Sequence, residues 1–422
     1  MPLSTYSKTD HTHSHLWGKI SITESSAVYL THTIKTLGLA MVGIFLPLFI
    51  YNLNFPIAFF ASEFTNRVFW ILVYFGIQSV VLVLIISFFA KYSFSKISLK
   101  YLLLISNIVQ ILEVIIWYNA ENNPYLMILA GILAGIVITF YWIPYHLFFI
   151  EKNSDKEGHF GKNLGIGNFL AGSVNALGPL FGGFIIATLG FNALFLMVSI
   201  IILISSFPIL FGVSEGKHYM GSLTYIYKQY ILNPAYKYVS VGFFGISMDG
   251  IIFAIFWPLF LFFALNNFEQ IGTLSFATIL ASSFMVILIG KVVDTKRGKT
   301  IHALGVCINS TFHLVRILLS VPLHVYILDL FDRLNGFYGL PFTAKTYEIA
   351  KKGNDLDFIV YREFIIHVAR IFTIVLVMLF LAVSSNWKLV FILASFGSAL
   401  SFLINYYKRK PVIISILDKT LS

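Results

Sequence analysis

LGIGNFLAGSVNALGPLFGGFIIATLGFNALFLMVSIIILISSFPILFGV, residues 164–213, contains no Asp, Glu, Lys or Arg. A helix that crosses the hydrocarbon layer of a bilayer needs about 20 mostly apolar residues. This stretch is long enough for two. Gly190 is where the chain can reverse, because glycine adopts turn conformations closed to other residues. Two crossings, 164–188 and 191–213, joined by almost nothing, set the pattern for the rest of the chain.

Ten further stretches read the same way: 29–52, 69–90, 100–118, 124–150, 238–264, 270–290, 301–320, 322–347, 362–384 and 388–407. None shows the alternation of a membrane-barrel strand. Lipid offers no partner to backbone polar groups, so all twelve are read as helices. Composition agrees. Hydrophobic residues make up 58% and charged residues 11%, against roughly 45–50% and about 25% in soluble proteins. The single cysteine, Cys307, excludes a disulfide scaffold. The polar start of the chain lacks the apolar core and cleavage site of a signal peptide. Its alternating His11, His13 and His15 read as part of a disordered tail rather than a metal site.

The net charge of +10 invites a nucleic-acid reading, but its distribution argues for topology instead. With the N-terminus placed in the cytoplasm, of the 29 Lys and Arg only Arg67 and Lys388 fall on the outer side, and Lys35, Arg316, Arg333 and Arg370 fall within spans. All others lie in inner segments, as the positive-inside rule requires. Lysines spread over short loops make a poor nucleic-acid surface. The expected organisation is a cytoplasmic tail (1–28), six spans (29–213), a cytoplasmic connector (214–237), six spans (238–407) and a cytoplasmic tail (408–422). Tyr225, Tyr227, Tyr230 and Ile231 beside Lys228 suggest that the connector carries an interfacial helix.

Two six-span halves with both ends inside is the layout of transporters built from parallel repeats. The segment Gly290-Lys291-Val292-Val293-Asp294-Thr295-Lys296-Arg297-Gly298-Lys299, after span eight, resembles the loop signature of the major facilitator superfamily, with Gly298 one position late. The matching first-half turn, Phe89 to Lys96, keeps basic residues but not the Gly and Asp. Span five carries Gly178-Pro179 followed by Gly182-Gly183, similar to the Gly-Pro-x-x-Gly-Gly signature of that superfamily, with Val174 where a further Gly is usual. The resemblance implies an all-α fold of twelve transmembrane helices in two six-helix halves, alternating access, and action as a monomer. It assigns conformational or gating roles to Gly178, Pro179, Gly182, Gly183, Gly290, Asp294 and Arg297. Span four lacks the Arg that many proton-coupled members carry.

Charges inside a bilayer cost about 2.5–3.5 kcal/mol each at a helix centre on insertion scales, so each is a candidate for function. Asp329, Asp332 and Arg333 share span ten, and Asp249 sits mid-span in seven near Trp257. By resemblance, spans one, four, seven and ten line the central cavity. A desolvated carboxylate there can carry protons. The bland alternative is a structural pair or triad including Arg316. Tyr141, Trp142, Tyr145 and His146 cluster at the inner end of span four. They read either as a cargo-binding wall or as an interfacial belt. Lys35 reads as snorkelling to the inner surface. Glu113 reads as a packed or paired residue, and Glu363, His367 and Arg370 as braces of the inner gate.

No phosphate-cradling Gly-rich loop and no Cys/His set with metal-ligand spacing occurs, so no ATP motor, cofactor or metal is expected. The expected function is secondary transport of a small molecule, by proton-coupled export. Nutrient symport or facilitation is the alternative within that class. A non-transporting membrane sensor or integral-membrane enzyme is the alternative outside it. The expected partners are the small molecule, protons and the lipid bilayer. Lys and Ile abundance suggests an AT-rich genome and a bacterial inner membrane.

Overall fold

The computed structural model describes residues 24–89, 96–152, 160–211, 226–333, 335–384 and 386–407. The His11–His15 tail, most of the first-half basic turn, Tyr225 and the segment 408–422 lie outside the described residues.

Among the described residues, ten helices are long and apolar enough to cross a membrane. Span one is Glu24–Gly43 continued by Leu46–Asn52; span two is Glu63–Leu84 with a π-turn at Ile85–Phe89; span three is Leu99–Asn119; span four is Leu126–Lys152. Spans five and six are the two arms of Phe160–Phe211, broken at Gly190, where φ is 83°. Only glycine takes that conformation without strain. Spans seven, eight and nine are Lys237–Leu265, Phe268–Val293 and Gly298–Leu318; eleven is Asp355–Val383; twelve is Val390–Ser401 extended by Phe402–Tyr406. Helix starts are capped where the sequence offers an acceptor: Ser62 to Thr65, Asn267 to Gln270, and Asn354 to Leu356 and Asp357.

Span ten departs from expectation. In place of one helix over 322–347 it is two, Pro322–Arg333 and Gly336–Lys351. The physical reason lies at the break. Asn335 Nδ2 donates to the Gly305 carbonyl of span nine at 3.0 Å. A Cβ on Gly305 would fall inside the Phe337 backbone. Span nine therefore presses bare backbone into the gap. Such breaks are tolerated at membrane depth only where protein buries them. Counting this broken span and the two arms around Gly190, the described residues make twelve crossings.

The surface is inverted relative to a soluble protein. Leu170, Leu189, Leu379 and Val383 are exposed, while Lys35, Arg316, Glu113 and Asp329 are buried. That is the solution for a chain whose solvent is lipid: apolar side chains face out and charges must pair within. The chain is thus a multi-pass membrane protein.

The halves meet along two seams. In one, Gly76 of span two faces Ile374 of span eleven. In the other, spans five and eight approach along their whole length. A Cβ on Gly161 would lie 2.8 Å from the Gly290 carbonyl, and one on Gly165 would lie 3.2 Å from Gly290 Cα. Further along, Gly172 abuts Ser283, and Gly183 and Gly272 face each other. Small residues let helix backbones touch where packing, not water, drives association.

Candidate functional site

In the second half, Asp249 of span seven lies 2.6 Å from His313 Nε2. It also accepts from Asn309 Nδ2 at 3.0 Å. His313 Nδ1 lies 2.9 Å from Arg316 Nη1, and Arg316 Nη2 donates to Asp332 at 2.7 Å. The Arg316 guanidinium stacks over Phe253 and Trp257, 4.9 and 4.7 Å from the ring centres. Trp257 Nε1 donates to Asp329 at 2.8 Å. One unbroken network thus joins spans seven, nine and ten. It gathers Asp249, Trp257, Asp329 and Asp332, together with His313 and Asn309, which the sequence alone did not single out. The Arg333 side chain lies outside the described residues.

The first half has its own network. Lys35 is fully buried, so it does not snorkel. Its Nζ donates to Asn107 Oδ1 at 2.9 Å and sits 4.0 Å from the centre of the Tyr141 ring. These partners give the ammonium an internal alternative to water. Glu113, on the same span as Asn107, is held by Tyr74 at 2.6 Å and Gln110 at 2.5 Å. His32 stacks on Tyr145, ring centres 4.0 Å apart, and meets Tyr141 OH at 2.7 Å. Tyr141 and His146 are buried, and Trp142 and Tyr145 partly so, so the cluster points into the protein rather than forming a lipid-facing belt.

The two networks share a plan. Asn107 of span three bonds Lys35 of span one and Ser206 of span six. Asn309 of span nine bonds Asp249 of span seven and Ser398 of span twelve. Span one corresponds to seven, three to nine and six to twelve. The scaffold repeats while the charge it holds inverts from cation to anion. An Asn at the same depth in the third helix of each half was the available sequence signal.

Contacts between halves close both ends of the molecule. At the lysine-rich end, His146 Nδ1 lies 2.6 Å from Tyr347 OH and its Nε2 lies 3.0 Å from Arg362 Nη1. Phe149 stacks on Tyr347, ring centres 5.0 Å apart. Glu363 pairs with Arg362 and lies 3.9 Å from His146. At the opposite end, Tyr51 and Phe64 pack on Phe263.

Asp294 ties the seam of spans five and eight. Its Oδ1 accepts from the Gly161 amide at 2.6 Å and its Oδ2 from the Lys162 amide at 2.8 Å. A carboxylate from one half therefore caps the first turn of a helix in the other, where free amides and the helix dipole favour negative charge. Asp294→Ala should lower stability by about 0.5–2 kcal/mol, the usual value of such a cap, with Asp294→Asn losing less. Thermal denaturation of the purified protein in detergent checks this. Gly178 and Gly182 lie off this seam and face span one of their own half: a Cβ on Gly178 would meet Ala40 at 2.5 Å, and one on Gly182 would strike the Met41 carbonyl. Pro179 lies between them, and its carbonyl faces Gly272 of span eight. Arg297 is exposed at the start of span nine, and Arg370 is partly buried on span eleven.

No protein-family model matches the sequence, and no curated protein matches it. Solved structures do. The fucose:proton symporter FucP of E. coli aligns with a TM-score of 0.62 at 11% identity, over 92% of this chain and 98% of that one. The human organic anion transporter MFSD10 aligns with a TM-score of 0.64 at 11% identity, over 90% of this chain and 98% of that one. At such identity the likeness speaks for architecture, and it extends over nearly the full length of both partners. The chain has the fold of the major facilitator superfamily transporters.

Proposed function

We propose that the chain is a secondary transporter that moves a small molecule by alternating access, driven by protons. The supporting observation is the Asp249–His313 pair. It joins a carboxylate to an imidazole, is buried within the spans, and is linked through Arg316 to Asp332. It stands in a half that meets its partner along a smooth glycine seam. A proton taken up by such a pair changes the charge that the half must bury, and so biases which end opens. The direction we favour is export, on the Gly178-Pro179 element of span five. Symport into the cell is the second reading, because the structural neighbour FucP is a fucose:proton symporter. We place the lysine-rich end in the cytoplasm of a bacterial cell, and the working unit as a monomer.

The test uses the full-length protein in liposomes with an imposed pH gradient. Asp249→Asn should abolish gradient-driven accumulation of a tracer while sparing exchange of that tracer across the same membrane. Retained exchange rules out misfolding. Gradient-driven accumulation that survives the joint neutralisation of Asp249, Asp329 and Asp332 would sink the coupling assignment. Direction is read in intact cells overproducing the protein, as lower or higher tracer content that an uncoupler abolishes.

A further inference from the structure

Glu363, His367, Arg370 and Ile374 recur at helical spacing, so they form one stripe along span eleven. The stripe faces the other half: Ile374 meets Gly76 of span two, and Glu363 lies 3.9 Å from His146 of span four. Arg370 stands near the middle of a helix that runs from Asp355 to Val383. The place is therefore between the halves, about one helical turn from the Gly76–Ile374 contact.

Its charge does not balance. Among the described residues, two guanidiniums, Arg362 and Arg370, and two imidazoles, His146 and His367, gather around the carboxylate of Glu363, so even with both imidazoles neutral the cations outnumber the anion. Arg362 takes up that carboxylate by direct pairing. Two polar atoms beyond it are left over. Among the described residues, His367 Nδ1 and Arg370 Nε are buried without a hydrogen-bond partner, and His367 is only 1% exposed. Buried polar atoms without a partner cost stability and are rare in folded proteins. A guanidinium fork beside an imidazole is complementary to a carboxylate. The aromatic rings of Tyr347 and Tyr145 lie in the same seam, toward the lysine-rich end, where they can cover an apolar body.

We propose that Arg370 and His367 form the anion-binding end of the cargo site, and that the cargo is a small organic anion bearing a carboxylate. This rests on the transporter reading and adds the chemical class of what is carried. It also separates the two jobs: cargo charge is met at span eleven, and the proton is held at Asp249 in the other network.

The test is equilibrium binding to the full-length protein in detergent, read by thermal shift and calorimetry. The probes are a panel of aliphatic, hydroxy and aromatic carboxylates, each beside its neutral amide. At least one acid should bind, and its amide should not. Arg370→Gln should weaken that binding by about ten- to a hundredfold, as loss of a charge-assisted pair does. Arg370→Lys should keep part of it, and Lys96→Gln, exposed and distant, should keep all of it. Binding that is indifferent to Arg370→Gln overturns the proposal, as does a panel in which no acid binds. Transport of a cationic or neutral tracer unaffected by Arg370→Gln would overturn this site and leave the transporter standing. Arg370-dependent binding with no flux in liposomes would do the reverse.

Discussion

Arg316→Ala is expected to lower stability by about 3–5 kcal/mol, the penalty for breaking a buried ion pair from one side. The side chain is fully buried. It serves four groups at once: it pairs with Asp332 at 2.7 Å, meets His313 at 2.9 Å, and stacks on Phe253 and Trp257. Removing it strands the Asp332 carboxylate and loosens the ring that holds Asp249. Lysine should rescue poorly, because an ammonium is a single point of charge that cannot span two acceptors or lie flat on aromatic rings. The decisive companion is Arg316→Met with Asp332→Leu. It removes both charges and keeps the volume, which is often neutral or stabilising for buried pairs. The double variant should therefore melt within about 1.5 kcal/mol of the parent, the usual limit for volume-conserving swaps. It should nevertheless fail in gradient-driven transport. Thermal melts in detergent together with liposome accumulation check both halves of the statement. An Arg316→Ala variant that melts with the parent would mean the network contributes nothing to the fold.

The helical crossings were legible because hydropathy is a local property. The Gly190 reversal and the run of crossings on either side of the connector need nothing beyond runs of apolar residues. The break in span ten was also written locally, as Asn335-Gly336. It was overridden by the length of the apolar run. The networks were legible only in part. That charges within spans must pair follows from the cost of burying them, but partners such as Asp249 and His313, or Lys35 and Asn107, are far apart in sequence. Only the packing of helices makes them neighbours. Lys35 shows the limit best. Snorkelling is the usual outcome for a lysine near a span end, and nothing local reveals that Asn107 and the Tyr141 ring wait inside. The unassigned asparagines, Asn107 and Asn309, would have emerged from aligning the two halves helix by helix rather than loop by loop.

The seam of spans five and eight makes the other large prediction, since wedges at its two ends should have opposite effects. A Cβ on Gly290 would lie 2.6 Å from the Gly161 carbonyl, at the lysine-rich end. A Cβ on Gly272 would lie 3.2 Å from Gly183 Cα and strike the Pro179 carbonyl, toward the other end. In each case backbone stands in the way, so no side-chain rotation relieves the clash and the helices must part. Overpacking costs about 1–3 kcal/mol, charged only to states in which that end is closed. Populations should then shift by roughly ten- to a hundredfold. Two reporter cysteines, placed one at a time in a Cys307→Ser background, read the shift. Phe149→Cys lies at the lysine-rich closure against Tyr347, and Tyr51→Cys lies at the opposite closure against Phe263. Gly290→Val should speed maleimide labelling at position 149 and slow it at 51. Gly272→Val should do the opposite. A two-ended rocker requires that reciprocity, because opening one end closes the other around a shared midplane. Labelling that rises at both positions in both variants would show a seam that merely glues the halves together, and would remove alternating access from the account.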